Sequence, residues 1–550
     1  MDNLLDVQKR IYSITHTKAK KKLYLELFII LGIATVFFAV ILYITGMYES
    51  KYMLNDHQMY LTIKNALKEQ SVYHVLKDFI KNEIELKARF RPLFWIQYVL
   101  ETWLFDLNWL ALHIFRTLEY SFCFVFLYWC AREYECNVIY SILFAAVTLI
   151  GPQIQVLYDL CTAGLIATLM ISICLLCMVK YCRTKNIVFK WGYYISLFMI
   201  SVSLEDYIVI VPILVAAYFL MTMEFEGLTY QNAWRKNKKM ILVWMAWFLL
   251  IAIYICFGLQ ADLSGRMNFN SLEFGTGIAK DMKQGIFNTW ETLKGLRWIN
   301  SAVLVISLFF IKRIFKKQYN LSDILCVSGV LISGLFVQLL IHSKSVMGRR
   351  YLLPYMIIIG WYVAILFYKE FKGEHIKIKA GVILLVCAVA LQMKSGLLNC
   401  SRQAKEAAEE EQCIQYIASN TNENSIIWCA YNLNDEGDYN RDVGLQMVLE
   451  EGGLRGGYIG IEGQLIDFYN VEYGEGKEMS ETSGEVPFIY PSVNYHPIYY
   501  RTKQYSDADI IFTKIGQDEE LLAKVGDNKY LDDYIKRDFL RYTIHVKVNH

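Results

Sequence analysis

Apolar residues run in long blocks along the chain as far as residue 393 and give way beyond it to short, mixed runs. The first block, 23–48, is nearly uninterrupted and, at helical rise, long enough to cross a hydrocarbon core of roughly 30 Å. Ten more blocks follow, at 108–129, 138–150, 161–179, 191–204, 207–223, 240–257, 298–311, 321–341, 351–368 and 380–393. The pattern predicts about eleven membrane-spanning helices. Several blocks fall short of a full crossing, and one pair would suit a re-entrant hairpin.

Charge sets the expected orientation. Lys9, Arg10, Lys18, Lys20, Lys21 and Lys22 precede the first block, and a basic flank marks a cytoplasmic end. That block is too long for a signal-peptide core, and Gly46-Met47-Tyr48-Glu49 offers no small-residue cleavage site, so it reads as an uncleaved anchor. Four later basic clusters, around Lys180–Lys190, Arg235–Lys239, Lys312–Lys317 and Lys369–Lys379, each fall where the alternation puts the cytoplasm. With an odd number of spans the tail is expected outside. The chain divides into a cytoplasmic N-terminus (1–22), a polytopic membrane domain (23–395) and an extracytoplasmic domain (396–550), in a multi-pass protein of the cell membrane.

Two expected outer loops are long, 49–107 and 259–297. In the first, Met59, Ile63 and Leu67 recur at helical spacing beside Lys64, Lys68 and Glu69, which suits either a helix lying along the interface or a packing strut. The tail is more polar and acidic: 403–418 reads as a helix and 425–431, 509–513 and 542–548 as strands, a small α/β domain. Within it Glu409-Glu410-Glu411 reads as a solvated helix face. Gly452-Gly453-Leu454-Arg455-Gly456-Gly457 matches neither G-x-G-x-x-G nor a P-loop and reads as turns.

Composition agrees with the pattern: 550 residues, 55% hydrophobic, 15% aromatic and a mean hydropathy of +0.28 give far more apolar surface than a soluble chain needs. A formal charge of +2 argues against a nucleic-acid partner. Most of the 13 cysteines lie in the apolar blocks as small hydrophobes; Cys400, Cys413 and Cys429 in the tail leave room for one disulfide, not for a disulfide framework. His57, His113, His342 and His375 are isolated, without the spacing of a zinc site.

Three charged sites remain on the expected outer side. Asp56, just past the first span, has the chemistry of a general base or metal ligand, and equally that of an N-cap for the helix that follows. Glu205-Asp206 joins two apolar blocks with almost no loop; two carboxylates there are costly to desolvate unless they serve a site or sit in headgroup water. Arg349-Arg350 opens the tenth block, where guanidinium groups grip phosphate in two-pronged fashion or snorkel to lipid headgroups.

These residues resemble the integral-membrane glycosyltransferases of the GT-C type, which use polyprenyl-phosphate-linked sugars. The resemblance covers roughly residues 20–395. It rests on Asp56, on Arg89-Phe90-Arg91-Pro92-Leu93 leading to Phe105-Asp106-Leu107-Asn108-Trp109-Leu110-Ala111-Leu112-His113, on Ser203-Leu204-Glu205-Asp206, and on Gly348-Arg349-Arg350-Tyr351-Leu352-Leu353-Pro354. Ser203-Leu204-Glu205 is similar to the Ser-Lys-Glu pattern of protein-mannosyltransferase-like members with the lysine replaced. Arg350-Tyr351-Leu352-Leu353-Pro354 is similar to the Arg-Tyr-Leu-x-Pro pattern of aminoarabinose-transferase-like members. The resemblance implies catalytic roles for Asp56, Glu205 and Asp206, and contacts to the lipid phosphate or substrate from Arg349, Arg350, Tyr351, Arg89, Arg91 and His57. It also implies a polyprenyl-phosphate sugar donor, a glycan, lipid or protein acceptor, and an inverting transfer at the outer face. No cofactor is firmly implied, and the first loop has no D-x-D pair to hold a divalent cation. Two other classes stay open. A transporter or flippase of lipid-linked glycan predicts charges within spans, of which Glu119 and Asp323 are candidates, and internal repeats, of which none is seen. A non-catalytic protein that binds glycan through its tail is the third.

Overall fold

Each of the eleven apolar blocks falls on a helix, and the helices extend past the blocks wherever charged residues continue without a breaker. The computed structural model describes residues 2–50, 54–87, 90–157, 160, 164–204, 207–254, 274–316, 321–342, 352–422, 425–430, 457–459, 484–485, 498–500 and 508–548. Helix α1 (Asp2–Thr45) includes the basic stretch before its apolar run, because lysines are good helix formers. It ends at Gly46, whose φ of 76° is a left-handed geometry that glycine adopts without strain.

The first long loop is three helices: α2 (Leu54–Glu69), α3 (Val72–Lys87) and α4 (Pro92–Phe105). Then follow α5 (Trp109–Glu133), α6 (Val138–Leu149), α7 (Gly164–Thr184), α8 (Ile187–Ser201), α9 (Ile210–Glu226) and α10 (Tyr230–Ile253). The second long loop contributes α11 (Phe274–Gly295), followed by α12 (Arg297–Phe315) and α13 (Leu321–His342). Helices α14 (Leu353–Gly360) and α15 (Phe367–Phe371) are joined by a π-helical turn, Trp361–Leu366, and α16 runs His375–Ser419. Asparagine starts three of the helices: the side chains of Asn108, Asn137 and Asn186 accept hydrogen bonds from Ala111, Tyr140 and Val188 backbone N–H.

Six of these segments are long and apolar enough to cross a membrane: 21–45, 109–133, 164–184, 297–315, 353–371 and 375–419. This is the make-up of a helical membrane protein. The segments differ in how much neighbours cover them: 72% of the apolar window of 353–371 is buried against 33% for 21–45, so the former is central and the latter peripheral. Accordingly Phe28, Ile33, Val36 and Tyr43 of α1 are exposed, as a lipid-facing side would be, while Phe38 packs edge-on against Tyr120 of α5 at 4.8 Å. Gly360 lets α14 approach α6, since a Cβ there would meet Thr148 Oγ1 at 2.6 Å.

The two ends of the bundle differ in chemistry. At one end residues of the four basic clusters form several small groups of ion pairs. Glu133 takes Lys180 at 3.2 Å and Arg183 at 3.5 Å, Glu135 takes Arg183 at 3.7 Å and Lys372 at 3.5 Å, and Glu370 takes Arg313 at 3.5 Å. Glu226 pairs with Lys185 and Lys236, and Glu224 with Lys369. The alternation of basic clusters thus corresponds to a shared end. At the other end α16 passes over the residues after α6, where a Cβ on Gly396 would lie 2.4 Å from the Gly151 carbonyl oxygen. Gln392 of α16 also donates there to the Gly295 carbonyl at 2.9 Å.

Helix α16 continues without a break through residue 395, where composition changes, and its far half carries the tail domain. That domain has a seven-stranded sheet of order β3-β4-β2-β1-β5-β7-β6, with β1 Ile426–Ala430, β2 Gly457–Ile459, β3 Gly484–Glu485, β4 Ile498–Tyr500, β5 Ile510–Lys514, β6 Tyr534–Asp538 and β7 Tyr542–Lys547. Strands β4, β2, β1 and β5 are parallel, and β3, β7 and β6 antiparallel to their neighbours. A short helix, α17 (Asp518–Val525), follows β5. The predicted 403–418 helix and the strands near 425, 509 and 542 are all present.

One expectation needs correction, and one pair of alternatives resolves. Glu409 and Glu410 are buried rather than solvated: Glu409 accepts from the Arg541 backbone N–H, and Glu410 from the Tyr542 hydroxyl at 2.8 Å. Acidic residues on α16 are thus the docking points of the β6–β7 hairpin. Helix α2 acts as the strut and not as a helix resting on the interface, because Tyr60, Leu61, Thr62 and Ile63 are all buried, more than one face. Cys400 and Cys413 are free thiols.

Candidate functional site

Beneath α2, polar side chains on three helices converge in a site that the periodicity of the chain conceals. Gln97 and Glu101 stand one turn apart on α4, and Arg116 and Glu119 share a face of α5. Arg116, fully buried, donates to Glu101 at 2.9 Å, to Glu119 at 3.1 Å, to the Leu160 carbonyl at 3.1 Å and to the Tyr60 hydroxyl at 3.3 Å. Tyr60 in turn donates to Glu101 at 2.8 Å, and the Gln97 amide donates to Glu101 at 2.7 Å and to Glu119 at 3.0 Å. Tyr98 adds its hydroxyl to the Leu160 carbonyl and its ring beneath the guanidinium at 5.2 Å.

One guanidinium faces two carboxylates. Burial pushes the Glu101 carboxyl above the ordinary range, against the opposing pull of Arg116 and of the hydrogen bonds from Tyr60 and Gln97. Arg116 Nε, Gln97 Oε1 and His113 Nδ1 are buried with no hydrogen-bond partner among the described residues. Among the described residues, further unmatched buried polar atoms of the membrane part, on Glu83, Gln153 and Gln392, belong to this same end. Such atoms cluster where water or a ligand completes the bonding.

The predicted site residues are distributed as follows. Asp56 and His57 stand in the first turn of α2, whose helical residues begin at Leu54, so Asp56 is inside the helix and not its cap; their side chains lie outside the described residues. A carboxylate in a first turn is favoured by the helix dipole. Arg89, Glu205, Asp206, Arg349, Arg350 and Tyr351 lie outside the described residues, as do 452–456 of the Gly-rich run, whose last residue, Gly457, opens strand β2 and not a turn. Arg91 precedes α4 and is engaged locally: its Nε bonds the buried Glu83 carboxylate at 2.6 Å, and its guanidinium lies 4.2 Å over the Phe94 ring.

The described flanks of these residues do come together. The Leu93 N–H at the start of α4 bonds the Val202 carbonyl at 3.0 Å, three residues before Glu205. Phe90 packs edge-on against Tyr254 at 5.7 Å. Ile210, Ile213 and Ala217 of α9, which follow Asp206, and Pro354 and Ile357 of α14, which follow Arg350, line one apolar cavity of about 80 Å3 together with Ile171 of α7. Among the described residues, no three His, Cys, Asp or Glu side chains gather to hold a metal ion.

No protein-family model matches the chain, and no curated protein matches it.

Proposed function

We propose that the chain is a membrane glycosyltransferase of eleven spans, with a cytoplasmic N-terminus and an extracytoplasmic sheet domain, that moves a sugar from a polyprenyl-phosphate donor to an acceptor. The single observation that carries this reading is the apolar cavity between α7, α9, α13 and α14. Its lining is apolar, as the membrane side of a lipid-substrate enzyme is, and its two walls lead in sequence to the acidic pair Glu205-Asp206 and to the arginine pair Arg349-Arg350, the groups a sugar phosphate needs. The buried Tyr60–Glu101–Arg116 bonding supports it too, since it ties down the helix in whose first turn Asp56 stands.

In the proposed reaction Asp56 takes the proton of an acceptor hydroxyl while that oxygen bonds to the anomeric carbon. The bond from that carbon to the donor phosphate breaks on the opposite face, and polyprenyl phosphate leaves with its electron pair, so the configuration inverts. Arg349 and Arg350 stabilise the negative charge growing on the phosphate. Glu205 and Asp206 accept hydrogen bonds from sugar or acceptor hydroxyls and orient them. The transport reading needs a charge free to serve a pathway; of its two candidates Glu119 is engaged by Arg116 and Gln97, and the side chain of Asp323 lies outside the described residues.

The test is Asp56→Asn in protein reconstituted with a polyprenyl-phosphate sugar and acceptor. Release of polyprenyl phosphate should fall by about a hundredfold or more, with the melting temperature unchanged. Unchanged turnover removes Asp56 from the mechanism, and donor crossing the bilayer without release of polyprenyl phosphate replaces the transferase by a flippase.

A further inference from the structure

We propose that the groove between the far half of α16 and the β6–β7 hairpin is a binding site for a neutral glycan. This groove has a volume of about 550 Å3, within the range of roughly 300–1,000 Å3 of small-molecule sites. Its helical wall is a single stripe of α16, Lys405, Glu409 and Gln412, and its other wall is Arg537, Asp538 and Phe539.

Glu409 is the residue that asks for a ligand. It is 6% exposed, one carboxylate oxygen accepts from the Arg541 backbone N–H, and the other, Oε2, is buried with no hydrogen-bond partner among the described residues. A buried carboxylate oxygen lacking a donor is costly, and a hydroxyl supplies that donor. Gln412, exposed on the same stripe, adds an amide with both donor and acceptor capacity.

The charges select the class of ligand. Lys405 and Arg537 are balanced by Glu409 and Asp538, so the groove has no net field with which to draw a polyanion or a polycation. The Arg537 guanidinium lies against a pair of rings, 4.4 Å from the centroid of Tyr416 and 5.4 Å from that of Phe539. That fixes a planar set of donors beside an apolar edge formed by Phe539 and Leu540, the latter 75% exposed. Alternating hydroxyls and C–H faces, the surface of a sugar ring, match this mixture of fixed donors, unmatched acceptor and apolar edge. Lys405 follows Met393, the end of the last apolar block, by twelve residues, which is about 18 Å of helix beyond the apolar segment.

The site stands on its own residues and does not depend on the transferase reading. Its test uses full-length protein in a detergent without a sugar headgroup, with cellotetraose, maltotetraose and chitotetraose as probes. Saturation-transfer NMR detects binding and calorimetry gives Kd. At least one probe should bind with Kd near or below about 1 mM. Ala408→Trp, which fills the groove from an exposed position, should weaken it about tenfold or more at unchanged melting temperature, and Glu409→Gln should weaken it by a similar factor. The proposal is overturned if none of the three binds, if Ala408→Trp binds as the wild type does, or if inorganic phosphate or an acidic tetrapeptide displaces the sugar as a tighter ligand. Because binding is read without turnover, protein that binds but transfers nothing sinks only the transferase reading, and protein that transfers without binding here sinks only this one.

Discussion

The two ends of the helical bundle use charged residues in opposite ways. At the basic end, cations outnumber carboxylates, most groups reach solvent, and Glu133, Glu135 and Glu226 each take two cations. At the sheet end a few charges are withdrawn from water altogether, one guanidinium holds two carboxylates, and buried polar atoms remain unmatched. The lesson concerns purpose. A solvated set of pairs tolerates losses and serves orientation, whereas a buried cluster is tolerated only where it fixes a geometry, and that is the end where the candidate site lies.

Breaking the buried cluster should have the largest effect. Arg116→Met leaves Glu101 and Glu119 without their counter-charge and should destabilise the bundle by about 3–5 kcal/mol, read as a fall in melting temperature in detergent. Adding Glu101→Gln and Glu119→Gln to that variant should recover much of the loss. A single variant as stable as the wild type would erase the contrast between the ends.

The close approach of α16 at the same end comes next. Gly396→Ala forces a methyl group against the Gly151 carbonyl and should cost about 1–3 kcal/mol by the same measurement.

A smaller effect sharpens the comparison by extending it to the sheet. Burial pushes the His545 imidazole below its ordinary value of 6.5, although Asp518, 3.4 Å away, pulls it upward. Below about pH 6.5 the unfolded chain therefore takes up a proton that the folded chain declines, and stability falls as pH drops through this window. Chemical denaturation from pH 7.5 to about 5 should show that slope, and His545→Gln should remove its share of it. The least change is expected at the basic end: Lys236→Ala removes one of two cations on Glu226 and should alter stability by under about 1 kcal/mol, less still in high salt.

Much of this architecture is legible in the sequence because a bilayer demands long apolar runs, and every such run is a helix. Ends were less legible. Lys9 to Lys22 and Arg235 to Lys239 interrupt hydropathy but not helix, so α1 and α10 begin well before their apolar blocks. The compositional change near 395 likewise marks a change of solvent and not of element, since α16 passes straight through it. Glu409 and Glu410 looked solvated because their partners, Arg541 and Tyr542, lie more than a hundred residues away. The buried cluster is hidden for the same reason: its members come from α2, α4 and α5 and from Leu160, and only two of them, Arg116 and Glu119, are charges within an apolar block. The spacing of Gln97 with Glu101 and of Arg116 with Glu119, one turn apart on otherwise apolar helices, was the signal available. Flanks of the acidic pair and of the arginine pair, separated by well over a hundred positions, share one cavity, a proximity that no local pattern encodes.

Helix α16 makes the tail domain a lever and not a tethered cargo. From Met393 to Ser419 it is a stiff rod of about 39 Å with the sheet clamped to its flank by Glu406, Glu409 and Glu410. A tilt of about 10° in its membrane half would sweep the far tip through roughly 7 Å, so whatever the sheet grips moves in step with the bundle beneath it.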